Sequence, residues 1–181
     1  MFSVASVILI STPTVPEGTP AAMREYLNLP PAAETDAFLT ALYLRAAGVV
    51  EARTGVTLLP ASYQVKITGA GSSARLPLFP VASVLSLVDA DGVQADFTLN
   101  PEPGCFYRLD FPAPLSGTYT ATVKAGYEAP AVLPPVASAA IFAVAADLYE
   151  HREYEQEGSL TESRAARMAI DALTFLHAGG V

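Results

Sequence analysis

Between Pro134 and Glu157 the chain reads PPVASAAIFAVAADLYEHREYEQE, almost wholly apolar in its first half and abruptly charged in its second. Such a run predicts one long helix whose early turns are buried and whose late turns reach a surface. The paired prolines suit its start, because the first helical turn has N–H groups without intrahelical partners and a proline there loses nothing. From Val136 onward small residues alternate with larger ones (Ala139, Ala140, Ile141, Phe142, Val144), which suits close helix packing. The apolar residues from Val136 to Ala146 are too few to span a bilayer, and Asp147 ends the run. A core helix is expected here rather than a membrane span.

A chain of 181 residues can bury a sizeable core as one domain, so a single domain over 1–181 is expected, with residues 1–19 able to act as an N-terminal arm. Ten basic against eighteen acidic side chains give a net charge of −8. That balance argues against broad binding of nucleic acid or anionic membrane, partners drawn by fields of Lys and Arg. Lysine occurs only at Lys66 and Lys124. Cys105 is the single cysteine, so no intrachain disulfide can form. The apolar start MFSVASVILI lacks the basic flank of a signal peptide and reads as a strand or an arm. Hydrophobic residues at 51% with only 15% charged make a surface committed to protein partners a reasonable expectation.

Taken in order, STPTVPEGT at 11–19 is a connector, and Thr19–Pro20 supplies an N-cap and first-turn proline for a short helix with Met23, Tyr26 and Leu27 inward. A second helix is expected from Thr35 or Asp36 to Thr54, with Phe38, Leu42, Ala46, Val49 and Val50 inside, Arg45 and Glu51 outside and Gly55 at its end. It should pack against the helix at 136. Beyond Gly55 the period becomes two: Tyr63, Val65 and Ile67 alternate with Gln64, Lys66 and Thr68, a half-buried strand. GAGSS at 69–73 is expected as a loop and RLPLFP as a short extended piece whose prolines keep it at an edge or outside regular pairing. Val84–Val88 and Val93–Leu99 flank DADG as a hairpin, and Cys105–Phe111 and Thr118–Ala125 give two more strands around an FPAPLSG loop. After the central helix, SLTE at 159–162 fits a capping box, and Ala165, Met168, Ala169, Ala172 and Leu176 give the last helix its inner stripe. The fold class is therefore α+β: a helical body of about four helices, with a small, mostly antiparallel β-sheet or β-hairpin region inserted between the second helix and the long central helix.

The chemistry-bearing residues form no recognisable catalytic set. Asp147, Glu150, His151 and Glu155 fall along one helical side, which suits solvated turns and local ion pairs better than a metal site lacking ligands from other elements. GAGSS has no lysine for phosphates and opens no helix, so nucleotide binding is not expected. There is no G-x-S-x-G elbow, and His151 and His177 are the only histidine bases. Asp89, Asp91 and Asp96 surround a turn, where an Asp side chain ordinarily satisfies backbone N–H groups; the EF-hand spacing for calcium is absent. No catalytic residue, cofactor or metal ligand is assigned.

Four stretches together resemble the head-tail connector, or adaptor, proteins of tailed phages and gene transfer agents. They are LISTPTVPEGTPAAMREYLNL from Leu9; FLTALYLRAAGVVEARTGVTL from Phe38, with its E-x-x-T-G-x-x-L ending; LPLFPVASVLSLVDADGV from Leu76; and AGYEAPAVLPPVASAAIFAVAADLYEHREYE from Ala125, closing in L-Y-E-x-R-E. The chain departs from many relatives in having no tryptophan and in the short FPAPLSG stretch. The resemblance implies a noncatalytic protein in a dodecameric ring beneath the portal of a virion's head-tail junction, assembled in the bacterial host cytoplasm. Implied partners are the portal protein, neighbouring copies of itself and the next connector or tail-completion protein. Double-stranded DNA would pass through the channel without sequence-specific binding, and no membrane is involved. Candidate contact residues are Val7, Ile8 and Leu9 of the arm, Asp89, Asp91 and Gly92 of the hairpin, and Tyr149, Arg152 and Glu153 of the central helix. A tail-completion protein or assembly factor is the neighbouring alternative, and a small enzyme with an unrecognised active site the distant one.

Overall fold

The computed structural model describes residues 1–31, 33–102, 106–128, 133–150 and 164–178. They group into two compact units, one drawn from within 1–14 and 59–128, the other from within 15–58 and 133–177.

The first unit is an antiparallel sheet of β1 (Phe2–Leu9), β2 (Ala61–Leu76), β3 (Val81–Asp89), β4 (Thr98–Glu102) and β5 (Phe106–Ala125). The strand order is β1-β2-β5-β3, with β4 also paired to β5. Four of the strands fall between the second and central helices as expected. β1, however, precedes all the helices and closes one side of the sheet, so the sheet is not wholly an insertion. Val65, Ile67, Leu76, Leu87, Leu109, Ala121 and Val123 point to one side and form a buried core. Lys66, Thr68, Thr120, Thr122 and Lys124 take the alternate positions on the other.

Two expected loops are strand. Gly69–Ser73 lies within β2, and Gly69 is there for close approach rather than for turning. Gly69, at φ 148°, pairs with Phe2, and a Cβ there would run into the backbone of Met1 and Phe2. The FPAP run lies within β5, as a bulge: pairing passes from Asp110↔Ser73 to Leu115↔Gly71, leaving Phe111–Pro114 opposite Ser72 alone. Pro112 and Pro114 have no N–H to give a ladder, so the longer strand bulges there. The Phe2 ring meets Phe111 in the bulge and Tyr119 beyond it, at 5.5 and 6.1 Å between centroids. The expected hairpin forms only at its tip. Val88 bridges Gln94, after which the chain leaves β3, and Thr98–Glu102 pairs with β5 instead. That places Leu99 opposite Leu109, beside the same core. Of RLPLFP, Arg75 and Leu76 finish β2, and the prolines follow it.

The second unit holds α1 (Thr19–Tyr26), α2 (Asp36–Thr54), α3 (Pro135–Glu150) and α4 (Arg164–Ala178). α1 has Gly18, not Thr19, at its cap; the Thr19 hydroxyl turns back to donate to Pro16 O at 2.6 Å. Met23 is fully buried, while the exposed Tyr26 lays its ring 5.2 Å from Phe142. α2 begins and ends where its signals predict. Thr35 Oγ1 accepts from the Phe38 amide at 3.2 Å, and Gly55 at φ 70° closes the helix by donating to Glu51 O. Its buried face is Leu39, Leu42, Tyr43, Ala46, Ala47 and Val50; Phe38 is exposed and Val49 half-buried. Apolar residues occur all round this helix, so periodicity alone left its phase open. α3 packs on α2 as expected, with Ala137, Ala140, Ile141 and Val144 buried and Tyr43 edge-on to Phe142 at 6.0 Å. Full burial of side chains such as Leu39 and Ile141 stabilises the unit by about 2 kcal/mol each. The expected continuation of this helix to Glu157 and the capping box at 159–162 lie outside the described residues.

α4 corrects the expected inner stripe. Ala166, Ile170 and Leu173 are buried, while Ala165 and Ala172 are exposed and Met168 is 60% exposed. Alanines on both sides made two phases equally apolar, and the branched residues at 170 and 173 decide which one packs. The side chain of Leu176 lies outside what is described.

Candidate assembly surface

β1 is an edge strand, and among the described residues β2 is the only strand it pairs with. Its sequence FSVASVIL contains no charge and no proline. Val7, Ile8, Leu9 and the following Ile10 are 41%, 54%, 48% and 47% exposed, and Val4 is exposed as well. The Ile10 amide donates to Ser62 O at 2.9 Å. Because alternate residues of an antiparallel strand address the same neighbour, Ser6 and Ile8 also turn their N–H and C=O groups toward β2. Val7 and Leu9 therefore direct theirs off the edge of the sheet. A bulge at Ala5 interrupts the register nearer the N-terminus. Edge strands are commonly blunted by charge or proline, and this one has neither.

At the other side of the sheet, β3 carries two register shifts, and its outer edge from Leu87 to Asp89 is covered by the returning chain. Asp89 N donates to Val93 O, and Ala95 N donates to Leu87 O. Asp89 Oδ1 accepts from the amides of Asp91 at 2.9 Å and Val93 at 2.8 Å, so its carboxylate organises the turn that ends near Gly92. Val93 in this turn and Leu85 further back along β3 are exposed apolar residues. Asp89, Asp91 and Gly92 are thus brought together, but by turn chemistry.

In the helical unit, Tyr149 donates its hydroxyl to Glu34 Oε1 at 3.2 Å, and its ring meets Phe38 edge-on at 6.3 Å. Arg152 and Glu153 lie outside the described residues, as do Cys105, His151 and Glu155. Among the described residues no group of three His, Cys, Asp or Glu side chains is placed to hold a metal ion, and no helix is long and apolar enough to cross a membrane. An open groove of about 400 Å³ lies at one end of the sheet, lined by Ser11, Thr14, Ser62, Lys124 and Glu128 among others.

An ion ladder across β2, β4 and β5 is absent from the sequence expectations. Arg75 Nε donates to Glu102 Oε2 at 2.9 Å, and Arg108 bridges Glu102 Oε1 at 2.9 Å and Asp110 at 2.7 Å. Asn100 donates to Asp110 Oδ2 at 2.7 Å. Hydrogen bonds from Arg108, then from Asn100, hold the Asp110 carboxyl below the usual carboxylate range, and Asp110 in turn raises the Arg108 guanidinium. Arg-x-Asp on an alternating strand was the available signal, since residues two apart share a face. The second carboxylate, Glu102, comes from β4, whose pairing with β5 the sequence did not disclose.

No protein-family model matches the chain, and no curated protein sequence matches it. Solved structures do. A chain in the neck of an empty gene transfer agent (GTA) particle, computed with C6 symmetry, is 24% identical, with a TM-score of 0.71 over 93% of this chain and 94% of that one. A chain of the virion of a native GTA particle is 24% identical, with a TM-score of 0.67 over 96% and 94%. A chain in the neck of a native GTA particle, computed with C12 symmetry, is 22% identical, with a TM-score of 0.66 over 93% and 94%. The chain shares the fold of these GTA particle chains. A match over 93% of the chain reaches into both compact units.

Proposed function

We propose that this chain is a structural head-tail connector subunit, forming a ring beneath a portal that extends the DNA channel and receives the next connector or tail component. The observation that carries the reading is the shared fold over 93% of the chain with neck chains of GTA particles, one of them computed with twelvefold symmetry. The role is noncatalytic, and its place is the head-tail junction of a virion. Cyclic closure beyond a dimer needs two different complementary surfaces on each copy. On this reading the Val7–Leu9 edge, the Asp89–Gly92 turn and the end of α3 from Tyr149 through Arg152 and Glu153 are contact regions toward neighbours, portal or tail. A net charge of −8 gives the chain little general attraction for phosphate, which lets DNA pass without being held. The sheet face carrying both lysines then turns away from the channel.

The test is light-scattering mass and negative-stain imaging of the chain alone and after mixing with its cognate assembled portal. A ring stacked on the portal is the expected result. A folded chain that leaves the portal bare would overturn the adaptor role and favour a tail-completion protein or assembly factor of the same system.

A further inference from the structure

We infer that neighbouring copies join by strand addition, the free edge of β1 in one copy pairing with the open Val81–Ser86 edge of β3 in the next. The inference rests on the ring reading above and names the contact that builds it.

Three observations carry it. First, β1 and β3 end the same sheet, and each has one side without a partner strand along these residues among those described. Val7 and Leu9 aim backbone donors and acceptors into that opening, where they require a partner or water. Second, the polarity is right. β1 is antiparallel to β2, β2 to β5 and β5 to β3, so β3 runs opposite to β1. Copies related by rotation about an axis along the strands keep one orientation, and β3 then meets the next β1 antiparallel, continuing the alternation already in the sheet. Third, neither edge repels the other. β1 is uncharged throughout, and β3 is uncharged from Val81 to Val88. The exposed Val7, Ile8 and Leu9 on one edge and Leu85 on the other supply apolar cover for the new pairs. The register shifts in β3 at Ala82 and Leu85 add twist and bend, which a row of sheets needs in order to curve into a closed ring.

The pairing is heterologous, and that makes it testable by mixing. Leu9→Pro removes an outward N–H without touching the bonds to β2, and Leu9→Lys places a charge on the same edge as an independent check on folding. Leu85→Lys blocks the other edge. Each variant, confirmed folded by circular dichroism, is expected to need about tenfold more protein than the parent to assemble. An equimolar mixture of a β1-blocked and a β3-blocked variant should stop at one-to-one dimers in native mass spectrometry, because each pair leaves only blocked edges outside. If the parent assembles only on the portal, the comparison is made on portal-bound rings. A Leu85→Lys chain that dimerises by itself would instead indicate twofold β1-to-β1 pairing and overturn the inference. Rings formed by both variants as readily as by the parent would also overturn it, while leaving the connector role intact. A parent chain that forms no ring, alone or on the portal, would overturn both.

Discussion

Asp110 and Arg108 stand two residues apart on β5, and the carboxyl of Asp110 is held below its ordinary range by the hydrogen bonds it accepts. A carboxyl whose folded value is depressed adds stability above its unfolded value and loses it as pH falls through the folded one. The stability gap between the parent and Asp110→Asn should therefore be full at neutral pH and close below about pH 4, read by urea unfolding across pH. A gap that stays constant with pH would show that Asp110 acts through packing alone. Glycine substitutions separate two other effects. At Gly55, φ 70°, a Cβ meets nothing within 4 Å, so Gly55→Ala should cost about 1 kcal/mol, the conformational term alone. At Gly69 the same change also drives a Cβ into the backbone of Met1 and Phe2, and about 2 kcal/mol or more is expected, with loss of β1 pairing visible by hydrogen exchange. The Gly55 role was legible in the sequence because a glycine after a periodic helix is a local signal. The Gly69 role was not, since the backbone it accommodates comes from 67 residues away in the chain.

Elements differ in how far their own residues define them. α2 carries its start and stop in its flanking residues, and Thr35→Ala should lower stability by about 1 kcal/mol through the lost bond to the Phe38 amide. α4 carried enough apolar residues to be recognised as a helix, but too many alanines to fix its inward face. The observed phase makes Leu173→Ala costly, about 3 kcal/mol, and Met168→Ala nearly neutral, within about 0.5 kcal/mol. Equal losses at both positions in thermal unfolding would return the inner stripe to Met168. In β5 the prolines read as a break between two strands. Locally that was correct, since they cannot join a ladder, but the pairing with β2 resumes on both sides and makes one strand of it.

For the whole molecule, composition sets an expectation that the fold refines. A chain of net charge −8 should leave duplex DNA unretarded in gel shift at physiological salt. Retardation abolished by Lys66→Glu with Lys124→Glu would instead mean that the lysine face of the sheet engages phosphate. The sequence by itself determined the mixed α and β class, the helices at 36–54 and 135–150, the turn at Asp89 and the overall acidity, because each follows from residues close in the chain or from simple sums. The resemblance to head-tail connectors also marked Val7 to Leu9 as candidate contacts. Only the tertiary structure decided that this run is the edge of a sheet, that β4 joins β5 and completes an ion ladder, and which faces of α2 and α4 are buried. Those outcomes depend on pairings between distant segments, where burial and backbone hydrogen bonding choose among arrangements that local sequence leaves nearly equal.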